Sequence, residues 1–250
     1  MDRLLEATFQ AERDHFWFKG FRQFVTPLIE RAVAGVSHPR ILDCGCGTGA
    51  NLTMLRRYGD AYGFDLTAIG VRYARDHFQH RVARASATHV PFASRAFDLV
   101  TSFDVLYCLQ DDQERQAIAE MARLVKAGGG LIVNVAALEM LRGGHSILSE
   151  EVRRYKRSML RERLEPAGFE IVRLTYTNAT LFPLMLAVRT AQRITGMTAA
   201  DDTTKEIALP SKPVNASLTA LLSLEARVLR VTDMPFGSSL LCLARRRADV

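Results

Sequence analysis

Ile41-Leu42-Asp43-Cys44-Gly45-Cys46-Gly47-Thr48-Gly49 is the stretch that decides the fold. Two apolar β-formers run into an acid, and glycines then fall at 45, 47 and 49. A strand that ends this way must turn sharply and feed a helix, because glycine reaches backbone angles other residues avoid and lets a ligand approach the main chain. Asp43 sets a carboxylate at the mouth of the turn. The combination points to a site for an adenosine-containing cofactor with a cationic end. The glycines alone leave the cofactor open, since Gly45, Gly47 and Ala50 also satisfy the loose dinucleotide fingerprint G-x-G-x-x-G/A. Asp43 weighs against a pyrophosphate, which is disfavoured beside a carboxylate, and suits an amino group or a sulfonium.

Outward from the turn, further signals fall in order. Gly63-Phe64-Asp65-Leu66 ends the next apolar run, and Asp65 lies about 20 residues past the turn, where an acid can take ribose hydroxyls. Val90-Pro91-Phe92 precedes Phe97-Asp98-Leu99-Val100, and Leu124-Val125-Lys126-Ala127 leads into Gly128-Gly129-Gly130 and Leu131-Ile132-Val133. The pattern predicts strands over 40–44, 60–65, 81–85, 97–102 and 130–136. It predicts helices over 48–57, 67–78 (Thr67 as N-cap) and 111–126, the last broken by the three glycines. Such alternation implies a doubly wound α/β sheet, mostly parallel, with helices on both faces. Ligands in these sheets sit at the carboxyl ends of the strands, where Asp43, Asp65, Ser86 and Ser102 fall.

The flanks read as additions to that core. Residues 9–35 show helical apolar spacing, and Glu12-Arg13-Asp14-His15-Phe16-Trp17-Phe18 packs aromatic residues and the single Trp together. We expect a charged helix over 149–165, stopped by Pro166 and Gly168, then strands over 169–176 and 239–244. The insert 179–235 opens with an apolar helix from Leu181, crosses a polar stretch at 198–217 that reads as mobile, and closes with a helix over 217–231. An insert of this size is functional or disordered as a rule. The expected layout is one domain: an N-terminal helical lid (1–36), a cofactor-binding core (37–178), a cap (179–235), and the last strand with its tail (236–250).

The totals exclude several classes. The 250 residues are 48% hydrophobic, enough for one α/β domain with a real core. The net charge of +6 is spread along the chain, which argues against a nucleic-acid arm. Cys44, Cys46, Cys108 and Cys242 lack paired ligand spacing, so no metal is expected, and they read as reduced thiols of a cytoplasmic protein. No signal core stands at the N-terminus and no run reaches the roughly 18 apolar residues of a membrane span. Phe182 to Ile194 is amphipathic, so a peripheral membrane contact stays open.

Taken together, the four signals from residue 40 to 178 resemble the class I S-adenosylmethionine (SAM)-dependent methyltransferases. The resemblance implies a seven-stranded Rossmann-like sheet with an antiparallel last strand. It also implies that SAM is the cofactor, with S-adenosylhomocysteine (SAH) the product. It places Gly45, Cys46, Gly47 and Gly49 along the amino-acid end and ribose, with Asp43 orienting that end. Asp65 would take the ribose hydroxyls, Leu66 would pack on adenine, Ser86 and Ala87 would stand where relatives carry an adenine-binding Asp, and Ser102 and Phe103 would close the strand-4 side. Where relatives often carry a His, this chain has Cys108, beside Tyr107 and Asp104.

The flanks are similar to a bacterial subgroup of type-11-like methyltransferases. These share the aromatic motif around His15 and Trp17, a His…Arg-Arg-Tyr segment (His145, Arg153, Arg154, Tyr155), Tyr176 and Asn178. The implied reaction is in-line methyl transfer to a small-molecule or lipid-like acceptor, with O-methylation favoured. His145, His15 and Tyr107 are the candidates for proton transfer. Trp17, Arg153, Arg154, Tyr155, Tyr176 and Asn178 are the candidates for an acceptor with a hydrophobic part and an anionic handle. The expected protein is a monomer or homodimer. Two other readings compete: a non-catalytic SAM- or SAH-binding protein, motivated by the departures at Ser86, Cys108 and Glu151, and an NAD- or nucleotide-binding protein.

Overall fold

Strand β1 (Arg40–Cys44) is buried on both faces after its first residue, which is why its apolar residues run on instead of alternating with polar ones. It pairs in parallel with β2 (Asp60–Asp65) on one side and with β4 (Phe97–Phe103) on the other. The remaining strands are β3 (Val82–Arg84), β5 (Val125–Ala136), β6 (Phe169–Thr177) and β7 (Ser239–Arg246). The structure is a computed structural model that describes residues 2–78, 81–143, 146, 149–194 and 208–248. Its seven-stranded sheet has the order β3-β2-β1-β4-β5-β7-β6. Only β7 is antiparallel, to both β5 and β6. The expected doubly wound sheet with a reversed last strand is therefore present, and its order reverses between β1 and β4, where such sheets open a crevice.

The helices are α1 (Asp2–Ala11), α2 (Phe16–Ala32), α3 (Ala50–Leu55), α4 (Ala68–Phe78), α5 (Asp111–Leu124), α6 (Arg157–Leu164), α7 (Phe182–Ile194) and α8 (Lys212–Val228). Successive strand residues point to opposite faces, and the core divides accordingly. On one face Ile41, Leu99, Ile132 and Leu243 meet Ile29 of α2, Leu52 of α3, Val71 of α4 and Leu222 of α8. On the other, Leu42, Val100, Val133 and Cys242 meet Ile118 and Met121 of α5 and Leu160 and Leu164 of α6.

Three expectations need correction. β5 starts directly after α5: Val125 already pairs with Phe97 and Gly130 with Leu99, so the glycine run lies in an irregular turn of the strand. The charged helix covers only Arg157–Leu164. Residues 149–156 are held alongside the end of β5, where Tyr155 N–H donates to Ala136 O at 2.8 Å and Tyr155 O accepts from Leu138 N at 3.1 Å. Tyr155 is fully buried, and that anchor overrides the helical propensity of its charged neighbours. α8 begins five residues early, because Pro213 sits in its first turn, where proline costs no hydrogen bond.

The helices expected as lid and cap also take part in the sheet-covering layer. α2 and α8 pack closely on each other; a Cβ on Gly20 would lie 2.4 Å from Leu222 Cδ1. Both belong to the layer that covers the sheet. Glu225 of α8, 1% exposed, accepts from Ala179 N and Thr180 N at 2.9 Å each, tying α8 to the turn after β6. Among the described residues α1 lies over the glycine turn, Leu5 Cδ2 standing 3.5 Å from where a Cβ on Gly47 would be. Of the polar stretch expected to be mobile, 198–217, residues 198–207 lie outside the described residues, and Lys212 onward belongs to α8.

Candidate functional site

The turn after β1 wraps on itself. Gly45 N and Cys46 N both donate to Phe64 O at 2.9 Å, and Gly47 N donates to Asp65 Oδ2 at 2.8 Å. Gly45 and Gly47 hold φ of 76° and 51°, and a Cβ at Gly45 would lie 2.3 Å from Val105 Cγ2. Both positions therefore require glycine. The amides that would cradle a pyrophosphate in a dinucleotide site are spent inside the protein, which weighs against that reading.

Asp43, next to last in β1, is 1% exposed. Its Oδ1 accepts from Thr101 Oγ1 of β4 at 2.7 Å, while Oδ2 has no partner. Burial pushes this carboxyl up to about 7; the Thr101 hydrogen bond opposes the shift and the nearby Asp65 adds to it. A buried carboxylate oxygen without a partner is costly, and an ammonium or sulfonium is the ligand that would satisfy it. At the end of β2, half-buried Asp65 also accepts from Thr67 N and Thr67 Oγ1, at 2.8 and 2.6 Å. Leu66 beside it is 64% exposed. These residues fit SAM: Asp43 toward the charged end, the glycine turn along the chain, Asp65 at the ribose and Leu66 on the adenine. After β3, Ser86 Oγ and Thr88 Oγ1 lie 2.8 Å apart, and Thr88 Oγ1 lies 3.0 Å from His89 Nδ1. The Ser86 hydroxyl thus works through its neighbours, with Ala87 between them.

The β4 and β5 ends form the other side. Ser102 is fully buried with its Oγ unpartnered, and Asn134 Oδ1 is likewise unpartnered. Asn134 Nδ2 donates to Asp104 Oδ1 at 2.9 Å, and Asp104 N donates to Asn134 O at 3.0 Å. Asp104 takes a left-handed backbone, φ 62°, and is exposed as a residue, while burial of its carboxyl pushes it up to about 7 against the Asn134 hydrogen bond. Such conformations in non-glycine residues persist where the surroundings enforce them. Phe103 packs edge-on against Phe21 of α2, 5.0 Å between centroids. Tyr107 is buried, and burial holds its phenol well above its ordinary range. Cys108 Sγ donates to Ser149 O at 3.0 Å, and burial pushes its thiol up to about 12. Burial likewise raises Cys46. All four cysteines are free.

Other candidates from the sequence lie elsewhere or serve the fold. His145 lies outside the described residues. His15 is buried and caps α2, its Nδ1 accepting from Trp17 N at 3.2 Å; burial lowers its pKa. Trp17 is half-buried against the α2 side of the core. Arg153 and Tyr155, expected at the acceptor, are instead committed to an internal cluster. Arg153 lies 2.9 Å from buried Glu114 and 2.7 Å from Asp111, Arg163 lies 3.2 Å from Glu114, and Tyr155 Oη donates to Glu114. Arg154 forms a buried ion pair with Glu151 at 2.9 Å. Tyr176 is buried under the Arg157 guanidinium, 4.9 Å from the ring centroid. Asn178, also buried and left-handed at φ 60°, donates to Ser239 Oγ at 3.4 Å.

Sequence reading missed Thr101, Asn134, Thr88 and the pair formed by Thr48 Oγ1 and Glu12 Oε2, 2.6 Å apart. This pair joins α1 to the glycine turn, and Phe9 of α1 stacks on Tyr73 of α4 at 4.4 Å. Burial pushes Glu12 up to about 6, against the Thr48 hydrogen bond and the Arg22 charge. No local pattern announces these partners. Polar residues at predicted strand ends were the one available signal for Thr101 and Asn134.

Comparison with known proteins adds the following. Residues 42–133 match a family described as "Methyltransferase domain". An uncharacterized protein of Methanocaldococcus jannaschii is 26% identical over 172 residues, spanning 58% of this chain and 66% of its own length, a little under two thirds. A malonyl-[acyl-carrier protein] O-methyltransferase of Herminiimonas arsenicoxydans is 29% identical over 186 residues, 68% of this chain and 69% of that one. Among solved structures, an S-adenosylmethionine dependent methyltransferase from Mesorhizobium loti superposes with a TM-score of 0.57 at 16% identity, covering 89% of this chain and 97% of that one.

Proposed function

We propose that this chain, which has the class I SAM-dependent methyltransferase fold and a methyltransferase domain over residues 42–133, transfers a methyl group from SAM to a small-molecule acceptor. The observation that carries this reading is the partnerless Oδ2 of buried Asp43 beside the glycine turn, an acceptor that a cationic ligand would satisfy. When bound, SAM supplies an electrophilic methyl. The protein's own part is then largely positioning in near-attack geometry. An oxygen acceptor must also lose a proton. Asp104, its carboxyl pushed up to about 7 by burial and steadied by Asn134, joins His145 as a group we assign to receive it, in place of His15, which serves as a helix cap, and Tyr107, whose phenol stays neutral. His145 retains its proposed role. The malonyl-[acyl-carrier protein] relative carries the word O-methyltransferase in its name, which agrees with oxygen as the nucleophile. We read the chain as one domain, and its free thiols suit the cytoplasm. No helix among the described residues is long and apolar enough to cross a membrane.

Calorimetric titration with SAM, SAH and NAD tests the reading. Binding of SAM and SAH at micromolar affinity with no NAD binding is expected, and D65A should weaken SAM by about 1.5–3 kcal/mol through lost charge-assisted hydrogen bonds. NAD binding without SAM binding would overturn it. SAM binding without turnover across an acceptor screen would favour the non-catalytic reading, which the internal engagement of Ser86 and Cys108 supports.

A further inference from the structure

The segment after β3 carries a chain of polar atoms that leads out of the site. Asp65 pairs with Arg84, and Ala85 N donates to Asp65 O at 3.0 Å. Ser86 therefore follows at the same sheet end as Leu66, whose exposed side chain is the apolar surface offered to a base. Ser86 Oγ lies 2.8 Å from Thr88 Oγ1 and accepts from Thr88 N at 3.2 Å. Thr88 Oγ1 lies 3.0 Å from His89 Nδ1, and His89 Nε2 lies 3.4 Å from the Gln116 amide of α5. Ser86 and Thr88 are half-buried, and His89 is exposed. A hydroxyl has one hydrogen and two lone pairs, and a neutral imidazole has one N–H and one acceptor nitrogen. The direction of the whole chain is therefore set at its imidazole. Building on the reading of this site as a SAM site, we propose that His89, acting through Thr88, decides whether Ser86 can accept a hydrogen bond from the amino group of the adenine.

With the imidazole neutral and its hydrogen on Nε2, the Gln116 amide turns its oxygen to that hydrogen and Nδ1 accepts from Thr88. Thr88 then accepts from Ser86. Ser86 keeps one lone pair for Thr88 N–H and one for the amino group of the base, so every hydrogen has an acceptor. Protonation adds a hydrogen at Nδ1, which Thr88 Oγ1 must accept. Thr88 can then donate to Ser86, which fills the second lone pair and turns the Ser86 hydrogen on the amino group. Otherwise the Thr88 hydrogen is left without a partner. Either arrangement weakens the contact with adenine, because an unmet donor is costly. An aspartate in place of Ser86 would be free of this dependence, since a carboxylate only accepts. The charged groups of α5 beside His89 are Glu120 and Arg123, which pair at 2.7 Å. Their mutual hydrogen bond holds Glu120 below its ordinary range and Arg123 above its own. Neither titrates near neutrality, where an imidazole ordinarily gains its second N–H.

Calorimetric titration with SAH, and with its analogue carrying unsubstituted purine in place of adenine, tests the proposal. The two ligands differ only in the amino group. Titration of Asp43 and Glu12, which burial pushes up to about 7 and about 6, therefore cancels in the ratio of their affinities. The wild-type preference for SAH should fall about fivefold between pH 7.5 and pH 5.5, the worth of about one hydrogen bond. H89N, whose amide does not titrate, should hold one preference at both pH values, and T88V should likewise lose the pH dependence. S86A should show no preference, and S86D should prefer SAH at both pH values. A wild-type preference that is flat with pH, or one that still falls in H89N, would overturn the proposal while SAH binding leaves the SAM site standing. Failure of both ligands to bind would overturn the SAM reading and the relay together.

Discussion

Asp43 sets the chemistry of the site through one proton. Its carboxyl is pushed up to about 7 by burial, so the folded protein without ligand prefers it neutral. Its contribution to stability is present below the ordinary carboxylate range and is lost as pH rises through 7. A cationic ligand prefers the ionised form, so SAM affinity should rise by up to about tenfold between pH 6 and 8. D43N should abolish that rise in calorimetric titrations and should gain in melting temperature relative to wild type over the same interval. A flat wild-type profile would place the cationic end elsewhere. Asp43, Asp65 and Leu66 were legible in the sequence because each stands at a strand end that local pattern defines. Thr101, which holds Asp43, was not, since its position depends on the β1–β4 register across 58 residues.

Elements are joined by residues whose roles no motif reveals. His15 was read as a candidate base and proves to be the N-cap of α2. H15A should cost about 1 kcal/mol in urea unfolding, H15N should recover most of it, and SAM affinity should not change. A large loss of SAM affinity in a folded H15A would return His15 to the site. Glu114 of α5 meets Arg153, Arg163 and Tyr155 and so clamps the segment before α6 to α5. E114A leaves those cations without their buried partner and should cost about 3–5 kcal/mol; a cost under about 1 kcal/mol would show the cluster to be dispensable. The charged stretch 149–156 looked helical because helical spacing and charge were all the sequence offered. The buried anchor at Tyr155 depends on a glutamate 41 positions away.

At the scale of the molecule, α1 is the element that covers the glycine turn from outside the sheet. It rests on the glycine turn through Glu12 and Thr48 and on α4 through Phe9 and Tyr73. Glu12 is pushed up to about 6, so closure is favoured below its ordinary range and weakens as pH rises through 6. Amides of α1 should exchange faster at pH 8 than at pH 5 after correction for intrinsic rates, and E12Q should flatten the dependence. Equal protection at both pH values would remove Glu12 as a latch. The parallel, doubly wound part of the sheet was legible because alternation of strand and helix constrains topology tightly, while the reversed last strand came from the family resemblance. The place of α2 and α8 in the sheet-covering layer was not, since amphipathic helices look alike whether they cover a core or a cleft.

The last strand also bears on how the chain is made. β7 fills the gap between β5 and β6 and pairs with both, yet it is the last of the seven to be synthesised. Until residues 239–246 emerge, both neighbours present open edges of the kind that recruit foreign strands. A nascent or nicked chain is therefore most prone to aggregate while the half of the sheet that holds the glycine turn already has all its strands.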